Sequence, residues 1–556
     1  MKHVAKQNAL PAQTPLSIAA PVQDRYTGLR LKSTHRNAGS GKEPNDMTDT
    51  YSDLLADHPG DSPAIGAPGR DWLNYGGLRD LSAQVADALH AAGVGRGDRV
   101  AIVLPNGPEM AAAFATVAQS AVTAPLNPAY KVEEFAFYLE DLKAKALLVE
   151  EGYDGPALAA ATRFGLTVLR LAVPDDAAAG AFSLRAEGAG GTTDTSTPNA
   201  TDVALILHTS GTTSRPKIVP LLQSNVVSSA RNVSASLALG PDDRCLNVMP
   251  LFHIHGLIAA VSASLAAGAS VWCAPGFDAL KFFGWMRAAR PSWYTAVPTM
   301  HQTILSRAGR NGETIAAVPL RFLRSSSASL PAQVMTQLSE TFGAPVIEGY
   351  GMTEAAHQMA SNPLPPRVQK PGSVGIAAGP LVRIADESED RLIEGTGEVC
   401  ISGANVTPGY EGNPEANEKN FFDAGGRRWF RTGDQGAFDE DGYLHLTGRL
   451  KEIINRGGEK VSPLEVDGVL LDHPGIAQVV TFALPHPKLG EDVAAAVVLR
   501  DGVEVTEREI REFAATRMAD FKVPRKVVIL QEIPKGATGK MQRIGLAEKL
   551  GLVESA

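Results

Sequence analysis

The segment His208-Thr209-Ser210-Gly211-Thr212-Thr213-Ser214-Arg215-Pro216-Lys217 follows directly on the apolar run of residues 203–207. A strand that empties into a loop crowded with hydroxyls, with one glycine and a terminal lysine, gathers many small hydrogen-bond donors at one place. Backbone N–H groups and hydroxyls can wrap a polyphosphate there, and the ammonium adds positive charge. The chain contains neither the G-x-x-x-x-G-K-[ST] loop of the usual NTPases nor a dinucleotide-binding G-x-G-x-x-G. Taken alone, the segment is equally readable as a Ser/Thr-rich surface turn. Asp434, after Gly433, reads alone as either a ligand acceptor or a turn residue. Lys540, in a Gly/Thr loop, reads alone as a solvated surface charge.

The elements that would position these residues are those of an ordinary soluble enzyme. The chain has 556 residues, is 44% hydrophobic and 20% charged, and has length for several domains, which excludes a disordered or fibrous protein. A formal net charge of -9 argues against a nucleic-acid partner or an anionic lipid surface. The three cysteines are not spaced as a metal clip or redox pair, which points to a reducing, cytoplasmic setting. Residues 256–277 are rich in Ala and Gly and lack the apolar density of a membrane span, so they are expected as buried strand and helix, with no stable membrane insertion. Apolar periodicity begins only after Met47. Residues 1–46 are expected to be a disordered extension, with either Met47 the true start or the extension a dispensable tail; their basic, acid-poor composition is also compatible with a transit peptide. From Leu73 to about Leu450, Ala-rich amphipathic helices alternate with short β-branched runs. Residues 100–104 and 146–149 read as strands and 108–121 as a helix, which implies α/β layers with mainly parallel sheet. Residues 185–201 read as an exposed loop. The charged run from Gly448 to Glu452 marks a boundary between a domain of residues 47–448 and a small one of residues 449–556.

Thr209 to Lys217, Tyr350-Gly351-Met352-Thr353-Glu354, Arg431-Thr432-Gly433-Asp434, Gly448-Arg449 and Pro534-Lys535-Gly536-Ala537-Thr538-Gly539-Lys540 resemble, in order and spacing, the motifs of the adenylate-forming superfamily of acyl-CoA synthetases, luciferases and peptide-synthetase adenylation domains. The resemblance runs from about residue 50 to 548. It implies an α/β fold with a large multi-layer N-terminal adenylation domain and a small, mobile α+β C-terminal lid. It also implies ATP, Mg²⁺ and coenzyme A as the small molecules bound. Thr209, Ser210, Gly211, Thr212, Thr213 and Lys217 would hold the β- and γ-phosphates, Thr353 the α-phosphate, and Glu354 the Mg²⁺. Asp434 would accept the ribose hydroxyls with Arg449 assisting, while Ser327, Ala328, Ser329, Gly349, Tyr350 and Gly351 would surround the adenine, with the Tyr350 ring stacking on the base. Lys540 would bridge the attacking carboxylate and the α-phosphate. Lys451 would be the hinge, and its rotation would bring Gly457, Gly458 and Glu459 to the site for coenzyme A. Ser214 and Ile218 stand where many members carry glycine, and Gly536 and Thr538 where others carry Thr and Ser.

For the acid, the segments around residues 352–366 and 250–257 look most like the oxalyl-CoA synthetase branch. A fatty or aromatic acid needs apolar walls, whereas a short diacid needs donors for its second carboxylate. His253, His357 and Ser327, with His255 beside them, lie on segments expected to line that pocket; His301 and His445 read as structural. The expected reaction is AMP-forming ligation of oxalate to coenzyme A through an oxalyl-adenylate. The alternatives are a ligase of the same mechanism for malonate, a medium-chain fatty acid or a coumarate-like acid, and a non-catalytic nucleotide-binding protein on the same fold.

Overall fold

The computed structural model describes residues 49–187, 191–209, 216–534 and 541–553. The expected extension, residues 1–46, lies outside them. The large N-terminal domain is built on three sheets. One is seven-stranded, running Ser183–Glu187, Thr167–Ala172, Ala146–Glu150, Arg99–Val103, Val122–Pro125, Val203–Thr209 and Lys217–Leu222. Its centre is parallel and its two outer pairs are antiparallel. A second, nine-stranded sheet has Val346–Met352, Phe322–Ser326, Trp293–Ala296, Arg244–Asn247, Ser270–Cys273 and Pro63–Gly66 as a parallel run, with His357–Ser361 antiparallel against Val346–Met352. Parallel strands need crossovers, and the alanine-rich helices supply them. Pro108–Val117 begins with Pro108 in its first turn, where the missing N–H costs nothing. Small side chains such as Ala111, Ala112, Ala113 and Ala115 pack it tightly into the core between the sheets.

Two expectations are corrected. The sheet of the domain is not mainly parallel throughout: Leu381–Ala385, Gly397–Ser402, Phe421–Ala424, Arg427–Phe438 and Leu444–Arg449 belong to a six-stranded antiparallel sheet. Most of these strands are joined by short turns, so the helix-strand alternation used to infer parallel sheet is lost there. The expected loop of residues 185–201 also starts too early, because Arg185 lies in the strand Ser183–Glu187. That strand is a half-exposed edge held partly by the Arg170–Glu187 ion pair (3.2 Å), and so lacks the apolar run by which strands are recognised.

The small C-terminal domain carries its own five-stranded sheet and core. Helix Pro463–Leu471 opens with Ser462 accepting from Glu465 N–H (3.2 Å) and Pro463 at its first position. Thr506 and Glu509 cap each other at the start of Glu507–Ala515. It touches the large domain through polar contacts: Gln333 with Asp472, Lys460 with Glu387 (2.7 Å), and the Ser462 hydroxyl with the Thr447 carbonyl.

Candidate active site

The loop expected to hold phosphate is flanked by a hairpin, with Thr209 directly opposite Lys217 in register. Ser210, Gly211, Thr212 and Thr213 lie outside the described residues. Lys217 is half-buried, and burial pulls its ammonium below the usual lysine range against the opposing charge of Glu354. Its Nζ sits 4.2 Å from the centre of the Tyr410 ring. The Tyr410 hydroxyl in turn donates to Glu354 Oε1 at 2.9 Å. Glu354 lies in the single 3-10 turn Thr353–Ala355, fixed by Thr407 N–H donating to its carbonyl (2.8 Å), and burial raises its carboxyl above the usual range. Lys217, Tyr410 and Glu354 therefore form one constellation. Tyr410 was not visible in the sequence as a site residue. Thr353, beside Glu354, is half-buried.

Asp434 is not a turn residue. It lies within the strand Arg427–Phe438, opposite Arg449 on Leu444–Arg449. Gly433 before it adopts φ +76°, and its N–H donates to Glu398 (2.9 Å); a side chain at this backbone angle would be strained. Asp434 N–H donates to the Thr432 hydroxyl (3.1 Å), and Arg431 is locked by Glu398 (2.8 Å) and Asp390 (3.0 Å). The motif is thus a latch that aims one carboxylate. Asp434 accepts from the Tyr350 hydroxyl at 2.5 Å and faces Arg449 Nε at 3.3 Å. That bond ties Tyr350, Asp434 and Arg449 together.

Strand Phe322–Ser326 ends at Ser327, where the chain turns with φ +74°; Ala356 and His357 are also in the positive-φ region, at +46° and +105°. Ser327 and His357, both against His255, and Ala356 beside them hold a conformation that only over-determining surroundings sustain. Ser327 is half-buried, and Ala328 and Ser329 are exposed. Gly351 has no room for a side chain, since a Cβ there would fall 1.8 Å from the His357 carbonyl oxygen. His357 is buried, with its ring 5.2 Å from that of His255. His255, at the start of the π-helical segment His255–Ser262, is fully buried; its Nδ1 bonds Ser327 Oγ (2.9 Å) and its Nε2 bonds Thr295 Oγ1 (2.6 Å). His253, half-buried, lies two residues earlier, where its Nδ1 accepts from the His255 N–H (3.4 Å). His301 is a core residue, bonded to Tyr294 (3.1 Å) and to the Arg324 carbonyl (3.2 Å), and His445 bonds Asp439 (3.1 Å). Among the described residues, Arg324 is the largest buried cation beside this cluster, and sequence reasoning missed it.

Glu348, immediately before Gly349, is buried and accepts from Leu330 N–H at 2.8 Å. Burial pushes its carboxyl up to about 8. A carboxyl with a folded value above its unfolded one keeps its proton in the fold and loses it in the open chain, so its contribution falls as pH rises between about 4.5 and 8. Glu348→Gln should therefore be more stable than the parent at pH 8.5. Its advantage should shrink towards pH 5, as read by urea melts across that range.

Of the residues assigned to the second half-reaction, Lys451 is exposed in the turn between Leu444–Arg449 and Ile454–Arg456, close enough for its charge to act on Lys217. Gly457 and Gly458 form the two-residue turn of the hairpin Ile454–Arg456 and Glu459–Val461, with φ +63° and +101°. Their glycines are required by that turn geometry. Glu459 is exposed beside them. Lys540 lies outside the described residues.

The chain matches the model of the AMP-binding enzyme over residues 53–411 and that of the AMP-binding enzyme C-terminal domain over residues 465–540. It is 48% identical to a probable CoA ligase of Humulus lupulus, CCL9, over 88% of this chain and 93% of that one. It is 46% identical to the oxalate–CoA ligase of Arabidopsis thaliana, over 89% of this chain and 98% of that one. The ATP-bound crystal structure of MatB from Rhodopseudomonas palustris superposes with a TM-score of 0.80 at 31% identity, covering 90% of this chain and 99% of that one. The chain belongs to the AMP-binding enzyme family. Within that family it is an acid–CoA ligase, using ATP to activate a carboxylic acid and coenzyme A to accept it.

Proposed function

We propose that the acid is oxalate and that the product is oxalyl-CoA. The observation that carries this reading is the polar lining of the acid side of the site: Ser327, His255, Thr295 and His357 cluster where a fatty or aromatic acid would need apolar walls. A polar wall of this kind suits a short acid with a second carboxylate better than a hydrocarbon chain or ring, which gains nothing from polar neighbours. The oxalate–CoA ligase relative at 46% identity supports the same choice.

In the first half-reaction a carboxylate oxygen attacks the α-phosphorus, and the bond to pyrophosphate breaks. Thr209 and Lys217, with the intervening loop, hold the β- and γ-phosphates, while Asp434 accepts the ribose hydroxyls, one of its oxygens held by the Tyr350 hydroxyl and the other facing Arg449. The residues fit Mg²⁺, a hard ion that takes one or two carboxylates and otherwise phosphate oxygens and water: Glu354 offers one carboxylate, oriented by Tyr410, beside Lys217. When bound, the metal spreads the charge that builds on the phosphates. Lys540 neutralises the attacking carboxylate and the α-phosphate. The small domain beyond Lys451 then rotates about that residue, and Gly457, Gly458 and Glu459 admit coenzyme A. Its thiol sulfur attacks the acyl carbon, AMP leaves, and the thiol proton goes to solvent or to AMP.

The test is AMP formation dependent on both ATP and coenzyme A with oxalate, malonate, succinate, hexanoate, octanoate and coumarate. Oxalate is expected to be at least about tenfold faster than the others, a transition-state difference of about 1.4 kcal/mol. A preference for hexanoate or coumarate would overturn the oxalate reading and leave the ligase chemistry standing.

A further inference from the structure

We infer that Arg324 is the specificity cation of the acid pocket, holding the second, non-reacting carboxylate of the substrate. The inference rests on the diacid reading above and names the group that enforces it. Arg324 is the middle residue of the parallel strand Phe322–Ser326 and is fully buried. Burial lowers its guanidinium to about 10, so it remains charged near neutrality. Among the described residues no carboxylate pairs with it. Its side-chain partners are Gln358 Oε1 at 3.3 Å and His255 Nε2 at 3.4 Å, and its Nε has none. A guanidinium has five N–H donors, and a buried charge without a counter-charge is strongly unfavourable unless something supplies one.

The geometry says where the counter-charge would sit. Side chains two apart on a strand share a face, which places Arg324 with Ser326 and, on the neighbouring strand, with Gly349. A Cβ on Gly349 would fall 2.6 Å from Arg324 Nη2, so the guanidinium occupies the space in front of that glycine. Glu348, with its side chain on the opposite face, does not neutralise it. Gln358 cannot shift to serve it better, because its amide nitrogen is bonded to Ser236 Oγ (2.9 Å), Ala378 O (3.2 Å) and Asn232 O (3.3 Å), which fixes its oxygen towards Arg324. His255, in contact with Arg324, links it to Ser327 at the pocket's edge. Arg324 thus lies directly behind His255, whose ring meets that of His357, and a planar guanidinium suits a carboxylate well. A monocarboxylic acid would leave that charge unneutralised.

The experiment compares Arg324→Met and Arg324→Lys with the parent enzyme, using oxalate and acetate as substrates, together with thermal unfolding without substrate. Arg324→Met should lower the ratio of kcat/KM for oxalate to that for acetate at least about 100-fold. The KM for oxalate should rise far more than that for ATP, and Arg324→Lys should restore part of the ratio. Because no carboxylate among the described residues offsets the buried charge, Arg324→Met should melt no lower than the parent. An unchanged ratio, or equal losses for both acids with a lower melting point, would overturn the assignment and make Arg324 a structural residue. A parent enzyme without preference for oxalate would instead overturn the diacid reading itself, whatever the variants do.

Discussion

Lys540→Ala is expected to slow acyl-adenylate formation by roughly 100- to 1,000-fold while leaving thioester formation from supplied acyl-adenylate within about threefold of the parent. The asymmetry follows from where charge develops. In adenylation an anionic carboxylate approaches an anionic phosphate, and a positioned ammonium is worth most there. In thioester formation the nucleophile is a thiol attacking a carbonyl, and Lys540 has no such work. On the proposed rotation the small domain would carry the lysine in and out; it has its own sheet and core, and among the described residues it meets the large domain through polar contacts that include Gln333–Asp472, Lys460–Glu387 and Ser462–Thr447. Pyrophosphate release measures the first half, and AMP release from prepared acyl-adenylate and coenzyme A the second. Equal losses in the two would contradict a lysine that serves one step.

Glu354→Gln is expected to lower kcat/KM for ATP roughly 100-fold, about 2.7 kcal/mol of transition-state stabilisation, and to raise the Mg²⁺ concentration needed for half-maximal rate. The amide keeps the size of the carboxylate and can still accept from the Tyr410 hydroxyl, so the 3-10 turn Thr353–Ala355 should stay in place. Removing a carboxylate whose protonation is favoured by burial should not destabilise the fold. A magnesium titration of initial rates, with a thermal melt alongside, separates the two effects. An unaltered magnesium requirement would remove Glu354 from the metal site.

Much of the candidate site is written in the sequence as short contiguous motifs. Arg431-Thr432-Gly433-Asp434 is a local device, in which three residues fix the aim of the fourth, and such a device survives in sequence. Tyr410 and Arg324 were not legible, for different reasons. Tyr410 reaches Glu354 across 56 residues of chain, and only the folded packing brings them together. Arg324 stood in view as one charge inside Phe322-Leu323-Arg324-Ser325-Ser326, yet a charge in a strand normally marks a solvated face, and only burial on both faces changes that meaning. The histidines show a related difficulty. His253 and His255 are two residues apart in sequence, but the π-helical turn carries His255 inward to Ser327 and Thr295. In the fold, the parallel sheets were legible from helix-strand alternation, whereas the six-stranded antiparallel sheet was hidden by its short connections.

The site draws on all three sheets of the large domain: Thr209 and Lys217 from the seven-stranded one, Ser327 and residues 349–357 from the nine-stranded one, and Asp434 and Arg449 from the antiparallel one. A nucleotide held as proposed would therefore cross-link layers that are otherwise joined only through their packing. Its binding energy would be shared by every one of them, because a ligand that binds only the assembled form stabilises whatever must be assembled. Amide hydrogens in the strands Lys217–Leu222, Val346–Met352 and Arg427–Phe438 should then slow their exchange with solvent together as nucleotide is added, as one cooperative block in place of three independent ones.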